Sequence, residues 1–95
     1  MIVADFTTIP MGAGTSASQY VQAVHELLNQ SGIKFVAGPM STSVEASSFE
    51  QLFKVIKEAN KKLADMGVQR IITSIRIDYR LDKDITIESK LGRSK

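Results

Sequence analysis

Residues 34–46 read Lys-Phe-Val-Ala-Gly-Pro-Met-Ser-Thr-Ser-Val-Glu-Ala, and this stretch decides the fold. Two short extended runs meet in it at the corner Gly38-Pro39, where glycine and proline together end one strand and turn the chain into the next. The second run carries three successive hydroxyls followed by one carboxylate, Glu45, which is unusually polar for the centre of a small domain. The stretch therefore predicts two strands, over residues 33–37 and 41–46, joined by a turn.

Helical patterns flank this stretch on both sides. The first predicted helix covers about residues 17–31, with Ser16 and Gln19 as a capping box and Gly32 as a left-handed C-terminal cap. The second ends at Gly67. Its N-terminal cap is Ser47 or Ser48 with Glu50 or Gln51 as the reciprocal partner, and its apolar stripe is Phe49, Leu52, Phe53, Ile56, Ala59 and Leu63.

Two further strands lie outside the helices. Residues 2–9 are rich in β-branched and aromatic residues that alternate with polar ones, and Pro10, Gly12 and Gly14 then break the pattern. Residues 68–79 form the longest predicted strand. Residues 82–95 are a tail, in which a short terminal helix capped by Asp82 or Asp84 runs through Ile85, Glu88 and Leu91.

The resulting order, βαββαβ plus a tail, indicates an α+β fold. We expect one ferredoxin-like domain over residues 1–95, with a four-stranded antiparallel sheet in the order 4-1-3-2, both long helices on one face and a short C-terminal helix. Right-handed crossovers leave few other arrangements.

Composition excludes several classes of protein. The chain has 95 residues, no cysteine and a single histidine, so disulfides and thiolate chemistry are absent. A zinc site based on His25 would have to be completed by carboxylates or by another subunit, and no metal is expected. The 12 basic and 10 acidic residues balance too evenly to create a strong positive potential that would attract nucleic acid. No apolar run reaches the roughly 20 residues that span a bilayer, and no secretory signal is visible, so we expect a cytoplasmic protein without membrane contact.

The predicted sheet brings polar residues together. Antiparallel pairing places Thr8 and its neighbours beside Ser41, Thr42 and Ser43, which predicts a small polar pocket near the Gly38-Pro39 corner. The two-residue period of a strand puts a second set on the helix-free face, namely Asp5, Ser43, Glu45, Ser74, Arg76 and Asp78. Because this face also carries Val3, Val36 and Ile72, we expect a partner sheet to cover it in a homo-oligomer, with Asp5, Arg76 and Asp78 at the interface.

Three segments together resemble the thiamine-binding protein family. They are Gly38-Pro39-Met40-Ser41-Thr42-Ser43-Val44-Glu45, the strand from Arg70 to Tyr79, and the opening Thr8-Ile9-Pro10-Met11-Gly12; residues 85–90 are also similar to the family's tail. The resemblance covers nearly the whole chain. One departure is Tyr79, which stands where relatives often carry the first of two basic residues.

The resemblance implies a ferredoxin-like subunit that assembles into dimers or tetramers and binds thiamine, or its hydroxymethylpyrimidine part, without catalysis and without a cofactor. Carried over by position, the ligand-binding residues are Thr8, Ser41, Thr42, Ser43 and Glu45, with Phe35 as a stacking surface. Phe6 and Tyr79 are alternative stacking rings. Hydroxyls and a carboxylate suit the donors and acceptors of an aminopyrimidine edge.

Several alternatives stay open. Glu45 either contacts ligand or pairs with Arg76 or Lys34 across the sheet, and His25 is interpreted as an ordinary histidine away from the polar cluster. A structural or regulatory oligomer without a ligand is the main competing function. An enzyme is less favoured because no nucleophile with an adjacent base is visible. An RNA-binding module is disfavoured because residues 41–46 carry no aromatic side chain.

Overall fold

A computed structural model describes residues 1–12 and 17–92 of the chain. The elements follow the predicted order, and their bounds are β1 Ile2–Met11, α1 Ser18–Ser31, β2 Lys34–Ala37, β3 Thr42–Ala46, α2 Phe49–Asp65, β4 Arg70–Asp78 and α3 Ile87–Lys90. The α+β ferredoxin-like prediction is confirmed. Ser16 and Gly14, which were expected to cap α1 and to break the preceding strand, lie outside the described residues.

The four strands form one antiparallel sheet in the order β2-β3-β1-β4, which is the predicted order 4-1-3-2 in reverse. β1 is central, but its two sides are paired over different lengths. It pairs with β3 from Ile2 to Phe6 and with β4 from Val3 to Met11. Beyond Phe6, the β3 side of β1 therefore has no strand partner among the described residues.

The two faces of the sheet are covered differently. Alternate residues of β1 and β3 point at α1 and α2 and pack with them into the main core, whose fully buried members include Leu28, Val44, Leu52 and Leu63. The other face, which we call the open face, carries the intervening residues. Its small second core joins Val3 to Ile85 and Ile87 of the tail. The C-terminal tail thus folds back over part of the open face.

The Gly38-Pro39 corner depends on its glycine. The backbone N–H of Gly38 donates to the carbonyl oxygen of Ser41 at 2.9 Å, which closes the turn between β2 and β3. A Cβ atom at Gly38 would lie 2.8 Å from that same oxygen, so a side chain there would force the turn open. This explains why the corner brings β3 back tightly beside β2.

Several boundaries differ from the sequence prediction. β1 continues through Pro10 to Met11, where we expected it to stop at residue 9. The β3 side of β1 has no strand partner at this point, and proline is tolerated in a strand where its missing backbone N–H faces no neighbouring strand. β4 is shorter than predicted, and covers Arg70–Asp78.

The second helix begins as expected. Ser48 is the N-terminal cap and accepts a hydrogen bond from the backbone N–H of Gln51, whose side chain in turn accepts from the backbone N–H of Ser47. Its buried stripe differs in one respect from the prediction. Val55 is buried, whereas Phe53 is half-exposed and stacks on Phe49.

The predicted caps of the terminal helix are wrong. Asp82 pairs with Arg80 and Asp84 pairs with the Met1 amino group, so neither caps a helix. The cap is Thr86. Its hydroxyl accepts a hydrogen bond from the backbone N–H of Ser89, and the Ser89 hydroxyl accepts one from the backbone N–H of Thr86. A Thr-Ser capping box is a weaker sequence signal than an aspartate before an apolar run, and it was overlooked.

Candidate functional site: two cavities on opposite faces of the sheet

Two cavities contain nearly all of the predicted site residues. We call the first the end pocket, a cavity of about 280 Å³ at the end of the sheet on its helix-covered side. Its described lining residues are Phe6, Thr7, Thr8, Ile9, Pro10, Ala17, Val21, Val24, His25, Gly38, Pro39, Met40, Ser41 and Thr42. We call the second the tail cavity, of about 410 Å³, on the open face. It is lined by Val3, Ala4, Asp5, Ser43, Arg76, Ile77, Asp78, Ile87, Lys90 and Leu91.

The end pocket owes its polar groups to two neighbouring strands and one helix. Thr8 comes from the part of β1 beyond Phe6, which pairs with β4 but has no partner on its β3 side among the described residues, and Thr42 is the first residue of β3. The Oγ1 atom of Thr42 lies 3.3 Å from Nε2 of His25 on α1. Apolar side chains of α1 and the Pro39 ring supply the remaining wall. The result is a mostly apolar cavity with a few polar groups, as is typical of small-molecule sites.

His25 is the residue that the sequence analysis missed. It was interpreted as lying away from the polar cluster, whereas the structure places it on the pocket wall beside Thr42. Its ring also packs against Phe35, with ring centroids 5.8 Å apart. The signal was present in the spacing, because Val21, His25 and Leu28 follow the i, i+4, i+7 pattern of one helix face.

Phe35 lies in a different place from the one expected of a stacking surface. It packs against the ring of His25 and against the main core, and it is not among the described residues that line the end pocket. In this position it supports the imidazole from outside the cavity. Tyr79, an alternative stacking ring, lies against Phe49 with ring centroids 4.9 Å apart.

On the open face, Asp5 and Arg76 form a bidentate ion pair. Nε of Arg76 donates to one carboxylate oxygen of Asp5 at 3.0 Å, and the terminal nitrogen donates to the other at 2.6 Å. The hydroxyl of Ser41 donates to the same carboxylate at 3.0 Å. The bond from Arg76, and to a smaller extent that from Ser41, holds the pKa of Asp5 below its usual value despite partial burial. The carboxylate is therefore ionised at neutral pH.

Glu45 is engaged with the tail. Its Oε1 accepts the backbone N–H of Ile87, the first residue of α3, at 2.9 Å. Lys34, one of the two expected partners of Glu45, instead donates to Glu88, and this bond raises the pKa of the Lys34 ammonium. Arg76, the other expected partner, is held by Asp5. Asp78 pairs with Lys90 of α3.

The five predicted ligand residues are thus divided between the two faces. Thr8 and Thr42 line the end pocket, and Ser43 lines the tail cavity. Glu45 holds α3 in place. Ser41 stands at the boundary, because it lines the end pocket while its hydroxyl binds Asp5 on the open face. Ser43 and Glu45 lie on the helix-free face, as predicted. Thr42, which was grouped with them as a ligand residue, points to the other face because successive side chains of a strand alternate.

Within residues 1–12 and 17–92, no group of three or more histidine, aspartate or glutamate side chains is arranged to hold a metal ion. Over the same residues, no helix has both the length and the apolar surface needed to cross a bilayer.

Comparison with protein families settles which kind of protein this is. A family profile described as thiamine-binding protein matches residues 4–95. The chain belongs to the thiamine-binding protein family. A relative in Bacillus subtilis, UPF0045 protein YqgV, is 40% identical over an alignment of 96 positions that covers 96% of this chain and 91% of the relative.

Solved structures with the same fold are similar to this member of the thiamine-binding protein family along almost the whole chain. A hypothetical protein from Methanocaldococcus jannaschii has a TM-score of 0.85 at 36% identity, covering 97% of this chain and 93% of that one. A domain of unknown function, DUF77, from Bacillus cereus also has a TM-score of 0.85, at 29% identity, covering 99% of this chain and 89% of that one.

Proposed function

We propose that the protein binds thiamine, or the hydroxymethylpyrimidine part of thiamine, as a homo-oligomer and without transforming it. The observation that carries the proposal is the end pocket, a mostly apolar cavity that Thr8 and Thr42 of adjacent strands help to line. Its volume of about 280 Å³ suits a ring-sized group better than a large cofactor. Membership of the thiamine-binding protein family supports the choice of ligand.

The chemistry of the ligand matches these groups. An aminopyrimidine has ring nitrogens that accept hydrogen bonds and an exocyclic amine that donates them. A threonine hydroxyl can do both, so Thr8 and Thr42 together can satisfy both kinds of group along one edge of the ring. Of the remaining predicted residues, Ser41 belongs to the same site in this proposal. Ser43 and Glu45 lie on the open face, so in this proposal they affect ligand binding only indirectly, through the position of β3.

Binding without catalysis is the second part of the proposal. The Thr42 hydroxyl and the His25 imidazole lie next to each other, as a nucleophile and its base do in an enzyme. Such a pair also needs a group that orients the imidazole and donors for the developing charge. No carboxylate is found among the described residues that line the end pocket. A reversible binding site therefore accounts for the residues present.

Self-association is the third part of the proposal. The open face keeps an apolar stretch on β1 and β4 that the tail leaves uncovered, and its side chains Ile9, Met11 and Ile72 are each between 40% and 46% exposed. Val36 is 45% exposed on the same face, but it lies on β2, across the row of Ser43 and Asp5. Ile9 and Ile72 are direct partners across β1 and β4. A second copy packing its open face here would bury these side chains, with Asp5, Arg76 and Asp78 at the edge of the contact.

Calorimetric titration tests whether the protein binds thiamine or hydroxymethylpyrimidine. The protein is unfolded and refolded to remove any co-purified molecule, and is then titrated separately with thiamine and with hydroxymethylpyrimidine. We expect saturable binding near one ligand per subunit. Thr42→Val and Thr8→Val should each weaken binding roughly fivefold, the equivalent of one hydrogen bond of about 1 kcal/mol.

Ser74→Ala is the matched control for these variants. It also removes one hydroxyl from the sheet, but Ser74 is exposed on the open face of β4 and does not line the end pocket. Its affinity should equal that of the unmodified chain. Absence of any heat at millimolar concentrations of both ligands would refute the proposed function. An equal loss in Ser74→Ala would refute the end pocket as the site.

A further inference from the structure

The described lining of the end pocket includes one residue with an ionisable nitrogen, His25. His25 is half-buried on the pocket wall, and its Nε2 lies 3.3 Å from the hydroxyl oxygen of Thr42. None of the other described residues that line the pocket is an aspartate, glutamate, lysine or arginine. Imidazole is the one side chain whose unperturbed titration falls between about pH 5 and 8. Among the described residues that line the pocket, His25 is therefore the one whose protonation changes the charge.

The elements packed around His25 bring it no counter-ion. Val21 and Val24 face the pocket from α1 itself, and β1 and β3 contribute threonine hydroxyls. The Phe35 ring lies behind the imidazole. The carboxylate of Asp5 is on the opposite face of the sheet, held by Arg76 and Ser41.

The residues that neighbour His25 in the sequence also supply no counter-ion to the end pocket. Glu26 lies in a different surface groove, with Lys62. The sequence between Gly12 and His25 has no Asp, Glu, Lys or Arg. A positive charge in the end pocket would therefore have no partner among the described residues.

Two physical consequences follow. A charge removed from water without a partner costs free energy, so the end pocket disfavours a cationic ligand group. In addition, a neutral imidazole offers one donor and one acceptor, whereas a protonated imidazole offers only donors. An aminopyrimidine edge needs both kinds of partner, and the neutral form supplies the acceptor for its exocyclic amine.

We propose that neutral His25 is the specificity-determining residue of the end pocket, that it recognises the uncharged aminopyrimidine ring, and that the thiazolium cation of thiamine stays outside. This inference rests on the proposed function and adds to it a residue and an orientation of the ligand. The pyrimidine part alone then carries most of the affinity. Protonation of His25 removes an acceptor and places an unpaired positive charge beside the ring, so affinity falls as the pH is lowered.

Calorimetric titration with hydroxymethylpyrimidine at about pH 8 and about pH 5.5 tests the proposal, on the unmodified chain and on His25→Gln. Glutamine keeps a neutral donor and acceptor but does not titrate. Protonation of the ligand itself is common to both proteins, so it cancels in the ratio of their affinities. We expect the affinity of the unmodified chain divided by that of His25→Gln to fall about tenfold or more when the pH is lowered from about 8 to about 5.5. This is the equivalent of one unpaired charge costing about 1.4 kcal/mol.

Gln22→His combined with His25→Gln is the matched control. It restores the number of histidines and keeps the new imidazole on α1, but at an exposed position in the groove that also holds Glu26. Its affinity ratio to His25→Gln should stay constant with pH. If this variant regains the pH dependence, or if the unmodified chain shows none, the role of His25 is overturned while the proposed function stands.

Thiamine distinguishes the two proposals further. We expect it to bind no more than about tenfold more tightly than hydroxymethylpyrimidine at about pH 8, because its cation contributes little inside the pocket. Tight binding of thiamine with no binding of hydroxymethylpyrimidine would overturn the orientation and leave the proposed function in place. Binding of neither ligand would overturn both.

Nuclear magnetic resonance of the unmodified chain gives a second test that needs no folded variant. The sequence has one histidine, so the imidazole signals belong to His25 without assignment. If the ligand binds the neutral ring, linkage requires that saturating hydroxymethylpyrimidine lowers the midpoint of the imidazole titration, by about one pH unit for each tenfold preference. A midpoint that is unchanged or raised by the ligand would overturn the proposal.

Discussion

The two faces of the sheet are closed by different interactions. On the helix-covered face, α1 and α2 bury a continuous apolar core in which Leu28, Val44, Leu52 and Leu63 are fully excluded from solvent. On the open face, a four-residue helix contributes one buried residue, Ile87, next to Ile85. The rest of that contact consists of the hydrogen bond from the Ile87 backbone N–H to Glu45 and of exposed ion pairs, such as Lys34 with Glu88.

This difference separates what holds the fold from what is attached to it. A buried aliphatic side chain stabilises by about 1.5–3 kcal/mol, whereas an exposed ion pair contributes about 0–1 kcal/mol. The helix-covered face therefore carries most of the free energy of folding. The tail over the open face is expected to detach locally while the sheet stays folded.

The largest effect on stability is expected in the main core. Leu52→Ala leaves a cavity beneath α2, and should lower the free energy of unfolding by about 2–5 kcal/mol, measured by urea denaturation. Phe53→Ala is the control on the same helix, because this side chain is 50% exposed and should cost less than about 1.5 kcal/mol. Equal losses in the two variants would contradict the core described above.

The uncovered part of the open face provides the next test. Ile72→Lys places a charge in the apolar stretch between β1 and β4, where Ile72 is 40% exposed and faces Ile9. If a second copy covers this stretch, the charge must be desolvated and the oligomer should dissociate to monomers in light scattering. Leu81→Lys is the control, since Leu81 is 84% exposed and lies outside the sheet. An unchanged mass in Ile72→Lys would place the interface elsewhere.

The smallest effect is expected at the tail. Glu45→Ala removes the acceptor of the Ile87 backbone N–H and should weaken the docking of α3 by about 1 kcal/mol. Hydrogen exchange at the Ile87 amide should accelerate roughly fivefold, with little change in the urea midpoint of the sheet. Glu45→Gln keeps an acceptor oxygen and should exchange at nearly the original rate. Dissociation of the oligomer in Glu45→Gln would instead indicate that the residue pairs with another subunit.

Much of the fold could be predicted because its signals are local. Alternation along residues 2–9, the helical spacing around Leu28 and the Gly38-Pro39 corner each specify one element, and right-handed connections then fix the order of strands. The extension of β1 through Pro10 could not be predicted, because it depends on the point at which pairing with β3 ends. That point is a tertiary property.

The candidate site was predictable only in part, for a related reason. The hydroxyls of β3 are obvious in the sequence, but the period of the strand sends Thr42 to the helix-covered face and Ser43 to the open face. His25 joins the site only through the packing of α1 against the sheet. Glu45 is occupied by a residue 42 positions further along the chain, an interaction that no local pattern indicates.

The position of Met40 has a practical consequence. Its side chain lines the end pocket at the β2–β3 corner and is 85% exposed, and the chain contains no cysteine. Met40→Cys would therefore give a single thiol for attaching an environment-sensitive fluorophore at the mouth of the pocket. A ligand that enters the pocket would displace water beside the dye, so its emission would report occupancy in real time. The same subunit could then serve as a reagentless optical sensor for whatever small molecule this pocket binds.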